Sequence, residues 1–219
     1  MTDDDSDMKR YYRDRAPIYD RVYAYPERQD DLRYLERYIP TQFAGLDILE
    51  VAAGTGYWTS FLSRTCRSIL AIDTEPAVLR QLQSRPLACP VATRVIDAFQ
   101  LDRLEQRFDG AFAGLWISHV PKQRLGSFLD RLHSILKPGA TLLFLDNSPV
   151  QCGRLPITCT DQAGNSYQDR RLDDGSVHRV LKNFPSEAEL RAATHTSGVD
   201  HKYLRMDNFW LFQYRTPAH

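Results

Sequence analysis

The sequence predicts an α/β fold built on a doubly wound, mostly parallel sheet with helices on both faces. Short apolar runs alternate with helix-like stretches from residue 46 to residue 147, which is the pattern of strands joined by crossover helices. The run 108–116 is apolar on both faces, as expected of a central parallel strand. A chain of 219 residues is long enough to cover such a sheet within one domain.

This alternation defines five strands and the helices between them. We predict strands at 46–52, 68–73, 92–97, 108–116 and 141–146, and helices at 57–66, 76–84 and 122–137. Pro76 and Pro121 open two of these helices, because the fixed φ of proline fits a first turn. A helix at 187–196, capped by Ser186, is followed by two strands in 200–216. These strands are expected to form a C-terminal antiparallel hairpin and to complete a seven-stranded sheet.

Composition and charge restrict the classes of function. Lys and Arg total 28, as do Asp and Glu, so the formal net charge is zero and an extended nucleic-acid surface is not favoured. The first seven residues are acidic and polar, and no run reaches the ~20 apolar residues of a membrane span. We therefore expect a cytoplasmic protein. The four cysteines lack metal-binding spacing, and we expect them to be free thiols.

A glycine-rich turn follows the first predicted strand. The segment 50–56 reads Glu-Val-Ala-Ala-Gly-Thr-Gly, and such a turn lets a ligand approach the backbone closely. Asp73 ends the second strand 19 residues after Gly54, at a position that faces a ribose in this kind of sheet. A dinucleotide site would need a third glycine where Thr59 stands, after the bulky Tyr57 and Trp58. The pattern therefore favours a nucleoside ligand that lacks a pyrophosphate.

These motifs resemble the class I S-adenosylmethionine-dependent methyltransferases of the small-molecule type. Glu50, Gly54 and Gly56 match their Glu-x-Gly-x-Gly-x-Gly turn, with Ala52 in place of the first glycine. The similarity spans about residues 10–215 and includes the segments 71–73, 95–98, 108–110 and 136–139. It implies a Rossmann-like fold and S-adenosylmethionine as the cofactor.

The resemblance also implies which residues form the cofactor site. Asp73 is expected to hold the ribose, and Asp97 with Ala98 the adenine. The complete expected set is Tyr11, Tyr19, Glu50, Ala52, Gly54, Gly56, Trp58, Asp73, Thr74, Asp97, Ala98 and Leu115. Some members have structural alternatives: Asp97 can cap a helix after the third strand, Glu50 can orient the loop, and Trp58 can simply pack.

The resemblance implies a single methyltransferase domain, which we expect to consist of four segments. Residues 1–40 are a tyrosine-rich helical cover, and residues 41–147 are the cofactor-binding core. Residues 148–178 break the alternation and are predicted to be an insertion that covers the substrate. Residues 179–219 supply the C-terminal helix and strands.

His119 follows the fourth predicted strand, and we expect it to act as a general base near the transferred methyl. The tyrosines suggest a flat or apolar small-molecule acceptor, or a cationic one, undergoing O- or N-methylation. Metal dependence is not expected, because Asp146 has no second carboxylate after the fourth strand. RNA base methylation and a non-catalytic regulatory role remain alternatives, and the chain is expected to be a monomer or a homodimer.

Overall fold

The computed structural model describes residues 3–218, with side chains from Asp7 onward. Its helices are α1 (Asp3–Arg15), α2 (Gln29–Thr41), α3 (Tyr57–Leu62), α4 (Pro76–Gln83), α5 (Leu125–Ser134) and α6 (Glu187–Thr194). Its strands are β1 (Asp47–Val51), β2 (Ser68–Asp73), β3 (Val91–Val95), β4 (Phe108–Gly114), β5 (Leu136–Asn147), β6 (Cys159–Thr160), β7 (Ser166–Arg171), β8 (Val177–Leu181), β9 (Val199–Arg205) and β10 (Phe209–Arg215). None of the helices in these residues is both long and apolar enough to span a bilayer.

The main sheet has seven strands in the order β3-β2-β1-β4-β5-β10-β9. The first five of these pair in parallel, and β10 pairs antiparallel with both β5 and β9. The predicted Rossmann-like sheet with a C-terminal antiparallel hairpin is therefore confirmed. Strand order reverses between β1 and β4, and ligands of open α/β sheets bind at the carboxyl ends of the strands at such a point.

Two apolar layers cover the sheet. On one face, α2, α3 and α4 pack their apolar side chains against the strands, and on the other α5 and α6 do so. Neighbouring residues of β1 supply both layers, with Ile48 on the first face and Leu49 on the second, because successive side chains of a strand point to opposite faces. The glycine-rich turn is thereby held between two packed helical layers.

The predicted insertion contains regular structure. Its residues form a second, antiparallel sheet in the order β6-β7-β8. This segment lacks apolar alternation because the inward-facing positions of β7 carry Gln168 and Arg170, which are both buried. Helix α1 packs on this small sheet: the Asp7 carboxylate accepts a hydrogen bond from the Arg179 backbone N–H at 2.8 Å.

Two boundaries differ from prediction around Pro138 and Gly139. The helix predicted at 122–137 ends at Ser134, and β5 begins at Leu136 rather than at residue 141. Proline and glycine do not end the strand, because the pairing of β5 with β4 shifts register there and Gly139 adopts a φ of +74°. The interruption is therefore absorbed as a local irregularity of the sheet.

Gly110 in β4 offers a test of the packing of β4 against β5. A Cβ added to Gly110 would lie 2.7 Å from the Thr141 carbonyl oxygen, so we expect Gly110→Ala to lower the free energy of unfolding by about 1–3 kcal/mol. A Cβ added to Gly126 in α5 would meet no protein atom within 4 Å. Gly126→Ala is therefore expected to leave the free energy of unfolding unchanged or to raise it by up to about 1 kcal/mol. Urea unfolding of both variants checks the difference, and equal stability would contradict the packing of β4 described here.

Candidate functional site

Two cavities lie at the carboxyl edge of the main sheet. The smaller, which we call the glycine-turn cavity, has a volume of about 300 Å³, including space that opens to solvent, beside the ends of β1 and β4. Its lining consists of Tyr19, Tyr23, Glu50, Ala52, Ala53, Gly54, Thr55, Tyr57, Trp58 and Gly114. Five residues expected from the sequence therefore come together here: Tyr19, Glu50, Ala52, Gly54 and Trp58.

The backbone of the glycine turn is left-handed at alternate positions. The φ angles are +52° at Ala52, +56° at Gly54 and +82° at Gly56, and a positive φ is uncommon for a residue other than glycine. A Cβ on Gly54 would meet no protein atom within 4 Å, whereas one on Gly56 would lie 2.6 Å from Leu82. Gly54 thus leaves room for a ligand, and Gly56 is required for packing α3 against α4.

Asp73 connects the end of β2 to this turn. One carboxylate oxygen accepts a hydrogen bond from the Gly54 backbone N–H at 2.9 Å, and the other accepts one from Glu75 N–H at 3.0 Å. The bonds fix the carboxylate beside the cavity and leave acceptor capacity for a ligand hydroxyl. Burial raises the pKa of Asp73 despite these bonds. Thr74, the next residue, forms a bend between β2 and α4.

Glu50 is a buried carboxyl in the wall of the glycine-turn cavity. The Thr59 hydroxyl donates to it at 2.7 Å. Burial raises the pKa of Glu50 to about 8, so the free protein holds this group mainly protonated at neutral pH. Glu50 therefore both orients the start of α3 and faces the space where a ligand would bind.

Six of the twelve expected residues are in neither cavity lining: Gly56, Asp73 and Thr74, described above, and Tyr11, Asp97 and Ala98. Asp97 accepts from the Phe99 backbone N–H at 2.9 Å and lies 3.7 Å from the Lys9 ammonium, which favours the capping alternative. Ala98 is buried in the apolar layer against α5. Tyr11 packs between α1 and β8, with its ring 6.0 Å from that of His178. These contacts are structural.

The segment between α1 and α2 covers the glycine turn. The Thr55 hydroxyl donates to Asp20 at 2.6 Å, and the same Asp20 forms an ion pair with Arg85. The ring of Tyr23 stacks on that of Tyr57 with centroids 3.6 Å apart and an interplanar angle of 6°. The N-terminal residues therefore form one wall of the glycine-turn cavity.

The second cavity, which we call the basic cavity, encloses about 500 Å³ including space that opens to solvent. It is lined by Tyr12, Arg15, Tyr19, Val22, Tyr25, Arg28, Leu115, His119, Asn147, Gln151, Arg154, Leu155, Arg170 and Lys182. Five of these side chains are basic, and the lining contains no carboxylate from the described residues. Tyr19 lines both cavities, and the consecutive Gly114 and Leu115 line one each, so the two spaces meet at these residues.

His119 is held at both ring nitrogens. Its Nδ1 lies 2.6 Å from the Leu181 carbonyl oxygen and must donate to it, so Nε2 of the neutral ring accepts from the Tyr12 hydroxyl at 2.8 Å. Burial, together with the charges of Lys182 and Arg170, lowers the pKa of His119 to about 3. An imidazole with an occupied acceptor and so low a pKa is a weak proton acceptor. Both features argue against the expected role of His119 as a general base.

An ion pair underlies the basic cavity. The Lys182 ammonium donates to Asp146 at 2.8 Å and to the Ser118 hydroxyl at 2.6 Å, and both charged side chains are almost completely buried. The Ser118 backbone N–H donates to the other Asp146 oxygen at 2.9 Å. Although burial opposes ionisation, Lys182 keeps the pKa of Asp146 below its usual value. The described residues contain no group of three side chains suited to holding a metal ion.

Sequence reasoning missed most of the basic cavity. Arg170 and Lys182 lie in or next to polar strands that gave no periodic signal, and Arg28 lies in a short 3-10 turn. The one available signal was the interleaving of Tyr12, Arg15 and Tyr19 in the N-terminal segment.

Comparisons with known proteins agree with this geometry. Residues 48–139 match the family model described as a methyltransferase domain. A protein named as an uncharacterized methyltransferase in Mycobacterium tuberculosis is 27% identical over 95 residues, which is 43% of this chain and 47% of that protein. The match thus spans about half the length of such curated relatives.

Solved structures match over nearly the whole chain. A DhpI complex with SAH has a TM-score of 0.78 and 27% identity, covering 98% of this chain and 97% of that one. A DhpI complex with SAM and HEP has a TM-score of 0.79, 26% identity and coverages of 98% and 99%. The N-methyltransferase NodS from Bradyrhizobium japonicum, bound to S-adenosyl-L-homocysteine, has a TM-score of 0.64 at 15% identity and 97% coverage of both chains, and it shows the shared fold alone.

The chain therefore contains a match to a methyltransferase domain over residues 48–139 and is similar over nearly its whole length to structures bound to S-adenosylmethionine or its demethylated product, which supports S-adenosylmethionine as the cofactor. The residues present fit this group: Gly54 leaves open space at the turn, Asp73 has acceptor capacity for ribose hydroxyls, and the bulky Tyr57 stands where a pyrophosphate site needs space.

Asp73 provides a test of cofactor binding. Asp73→Asn replaces one acceptor oxygen by a donor group, so a hydrogen bond to a ligand or to the turn is lost. We expect the affinity for S-adenosylhomocysteine to fall by about 10- to 100-fold. Calorimetric titration checks this, with Asp102→Asn on the surface as the control for a lost carboxylate. Unchanged affinity in Asp73→Asn would contradict the assignment.

Glu50 provides a test that depends on charge. The free carboxyl has a pKa of about 8, and a cationic ligand in its cavity favours the ionised form, which lowers that pKa. Binding of S-adenosylmethionine at pH 7 should therefore release a proton, and this release should vanish at pH 9, where Glu50 is already ionised. Calorimetry in buffers of different ionisation enthalpy measures the release. Glu50→Gln should abolish it, and persistent release in that variant would assign the proton to another group.

Proposed function

We propose that this class I S-adenosylmethionine-dependent methyltransferase transfers a methyl group to a small molecule bound in the basic cavity. The observation that carries the proposal is the junction of the two cavities at Tyr19 and Leu115. A cofactor in the glycine-turn cavity and an acceptor in the basic cavity would then be neighbours. Alignment of two reactants in a closed site accelerates their reaction by removing the need for an encounter.

The chain's own residues supply binding, orientation and exclusion of water. When bound, S-adenosylmethionine supplies an electrophilic methyl carbon on a sulfonium. Asp73 would accept hydrogen bonds from the ribose, and Glu50 would place a negative charge beside a cationic cofactor. Tyr19 and Leu115 would limit the approach of the acceptor to one direction.

The N-terminal segment and the β6-β7-β8 sheet would exclude water from the reaction. Asp7 in α1 contacts β8, and Asp20 contacts the glycine turn, so the cover joins both cavities. Their position supports segments 1–40 and 148–178 as the substrate cover.

Two other functions are less consistent with the site. RNA base methylation needs an extended phosphate-binding surface, whereas the basic side chains here line a cavity beneath the N-terminal helix. A non-catalytic regulatory protein would bind the cofactor without needing an adjoining cavity. Turnover distinguishes the regulatory alternative from the proposed function, and the identity of the methylated product distinguishes RNA methylation from it.

The proposal is tested with labelled S-adenosylmethionine and mixtures of small metabolites. We expect label to appear in a small organic product together with stoichiometric S-adenosylhomocysteine. Transfer to transfer RNA but to no metabolite would overturn the small-molecule assignment. Tight cofactor binding with no turnover on either class would support the regulatory alternative instead.

His119 provides a further prediction. Since Nε2 accepts from Tyr12, we propose that the ring positions Tyr12 rather than removes a proton. His119→Gln should then lower turnover by less than about 10-fold and leave the pH–rate profile unchanged, whereas loss of a general base costs about 10²-fold or more. Thermal unfolding of the variant controls for local damage. A loss of 10²-fold together with a shifted pH profile would restore the base assignment.

A further inference from the structure

The basic cavity holds buried positive charge that the described carboxylates do not balance. The Arg170 side chain is 4% exposed and donates to Gln168 at 2.8 Å and to the Tyr12 hydroxyl at 3.1 Å. Arg28 is 7% exposed and donates to the Val22 carbonyl oxygen at 3.1 Å. All of these partners are uncharged.

Arg15 is a third arginine of the basic cavity whose described partners are uncharged. It donates to the Tyr11 hydroxyl and lies against the rings of Tyr11 and Tyr19. From Asp7 onward, no carboxylate lies within ion-pair distance of Arg15, Arg28 or Arg170. A buried charge without an opposite partner is costly, so such a group indicates a site for a charged ligand.

The other basic side chains of the cavity are neutralised within the protein. Lys182 pairs with the buried Asp146, and Arg154 pairs with Glu27 at 2.5 Å. The remaining polar groups in the lining are tyrosine hydroxyls, amides and the neutral His119. The cavity therefore has an excess of positive charge, which excludes a cationic acceptor and argues against the flat, apolar acceptor expected from the tyrosines.

The same lining provides no acceptor for a proton. It contains no Asp or Glu among the described residues, and the acceptor nitrogen of His119 is occupied by Tyr12. A neutral alcohol or an ammonium group would have to lose a proton during methylation. A nucleophile that binds already deprotonated needs no base.

We propose that the methyl acceptor is a small acid whose anionic oxygen binds among Arg15, Arg28 and Arg170 and itself receives the methyl group. This inference rests on the function proposed above. Guanidinium groups suit the planar or tetrahedral oxygen arrays of carboxylates and phosphorus oxyacids equally, and both share an ionised oxygen at neutral pH. The reaction would be O-methylation to an ester.

The step balances without proton transfer. A lone pair on the acid oxygen forms a bond to the methyl carbon, and the methyl–sulfur bond breaks with its electrons remaining on sulfur. The sulfonium becomes a neutral thioether, and the acid oxygen loses one negative charge as the ester forms. One positive and one negative charge are thus removed together, so no base is required.

The first experiment measures anion binding in the absence of turnover. The protein loaded with S-adenosylhomocysteine is titrated with inorganic phosphate and, separately, with acetate, and heat release is recorded. We expect Arg15→Gln and Arg170→Gln to weaken anion binding by about 10-fold or more, because each removes charge-assisted hydrogen bonds. Arg191→Gln, whose arginine pairs with Glu187 on α6, is the matched control and should bind as the parent does.

Two variants are compared because either substitution alone could act by disturbing the fold. Arg170 is buried and its replacement can damage the fold, whereas Arg15 is less buried and its replacement should be tolerated. Far-ultraviolet circular dichroism and S-adenosylhomocysteine affinity verify each variant. Anion binding that is unaffected in a folded Arg15→Gln protein and a folded Arg170→Gln protein would overturn the proposal.

The second experiment identifies the acceptor class. Matched sets of carboxylic acids, phosphorus oxyacids, amines and phenols are supplied with labelled S-adenosylmethionine, and methylated products are identified by mass spectrometry. Ester formation from either acid set supports the proposal and names the acid. Methylation of amines or phenols, with none of acids, overturns it while leaving the methyltransferase function intact. Failure to bind S-adenosylhomocysteine at the site of Asp73 would instead count against the proposed function.

Discussion

The buried ion pair between Lys182 and Asp146 joins the two sheets of this protein. Asp146 lies in β5, Lys182 directly follows β8, and Ser118 from the turn after β4 bonds to both. Removing one partner of such a pair leaves an uncompensated charge and typically costs about 3–5 kcal/mol. This connection holds the end of β8 beside the turn after β4 and so helps to place the Leu181 carbonyl that orients His119 and, through the pairing of β7 with β8, Arg170.

The two cavities differ in electrostatic character, because one contains a carboxyl that a cationic ligand would ionise and the other contains unpaired positive charge, and this difference would suit the two proposed reactants. The glycine-turn cavity contains the Glu50 carboxyl and borders Asp73, whereas the basic cavity contains arginines without carboxylate partners. A cationic sulfonium and an anionic acid would each meet a complementary surface. Because the two spaces adjoin at Tyr19, the opposite charges would also attract each other across the boundary.

The main sheet was predictable because its strands are apolar and its helices amphipathic. The glycine turn and Asp73 followed from spacing within the strand-turn-helix unit. In contrast, β7 buries Gln168 and Arg170, so its hydrophobic pattern resembles that of an exposed loop. Sequence cannot identify a buried polar strand before the hydrogen-bond partners from other elements are known.

The N-terminal tyrosines show a second limit of predicting a site from the sequence. Tyr11 and Tyr12 are adjacent, yet Tyr11 packs toward β8 and Tyr12 enters the basic cavity. The helical phase of α1 separates them, and the change to a 3-10 turn at Ala16–Tyr23 alters the phase for Tyr19. Composition alone indicated an aromatic pocket, while the arginines between the tyrosines determine its charge.

The unbalanced charge around Arg15, Arg28 and Arg170 has a consequence for the end of the catalytic cycle. An acid loses one negative charge when it becomes an ester, so an ester product would be held less strongly than an acid substrate by the same three guanidinium groups. The cofactor product has likewise lost the positive charge that the Glu50 carboxylate attracted. Both products would therefore dissociate more readily than the reactants they came from, and an accumulating ester would compete only weakly with fresh acid for the cavity.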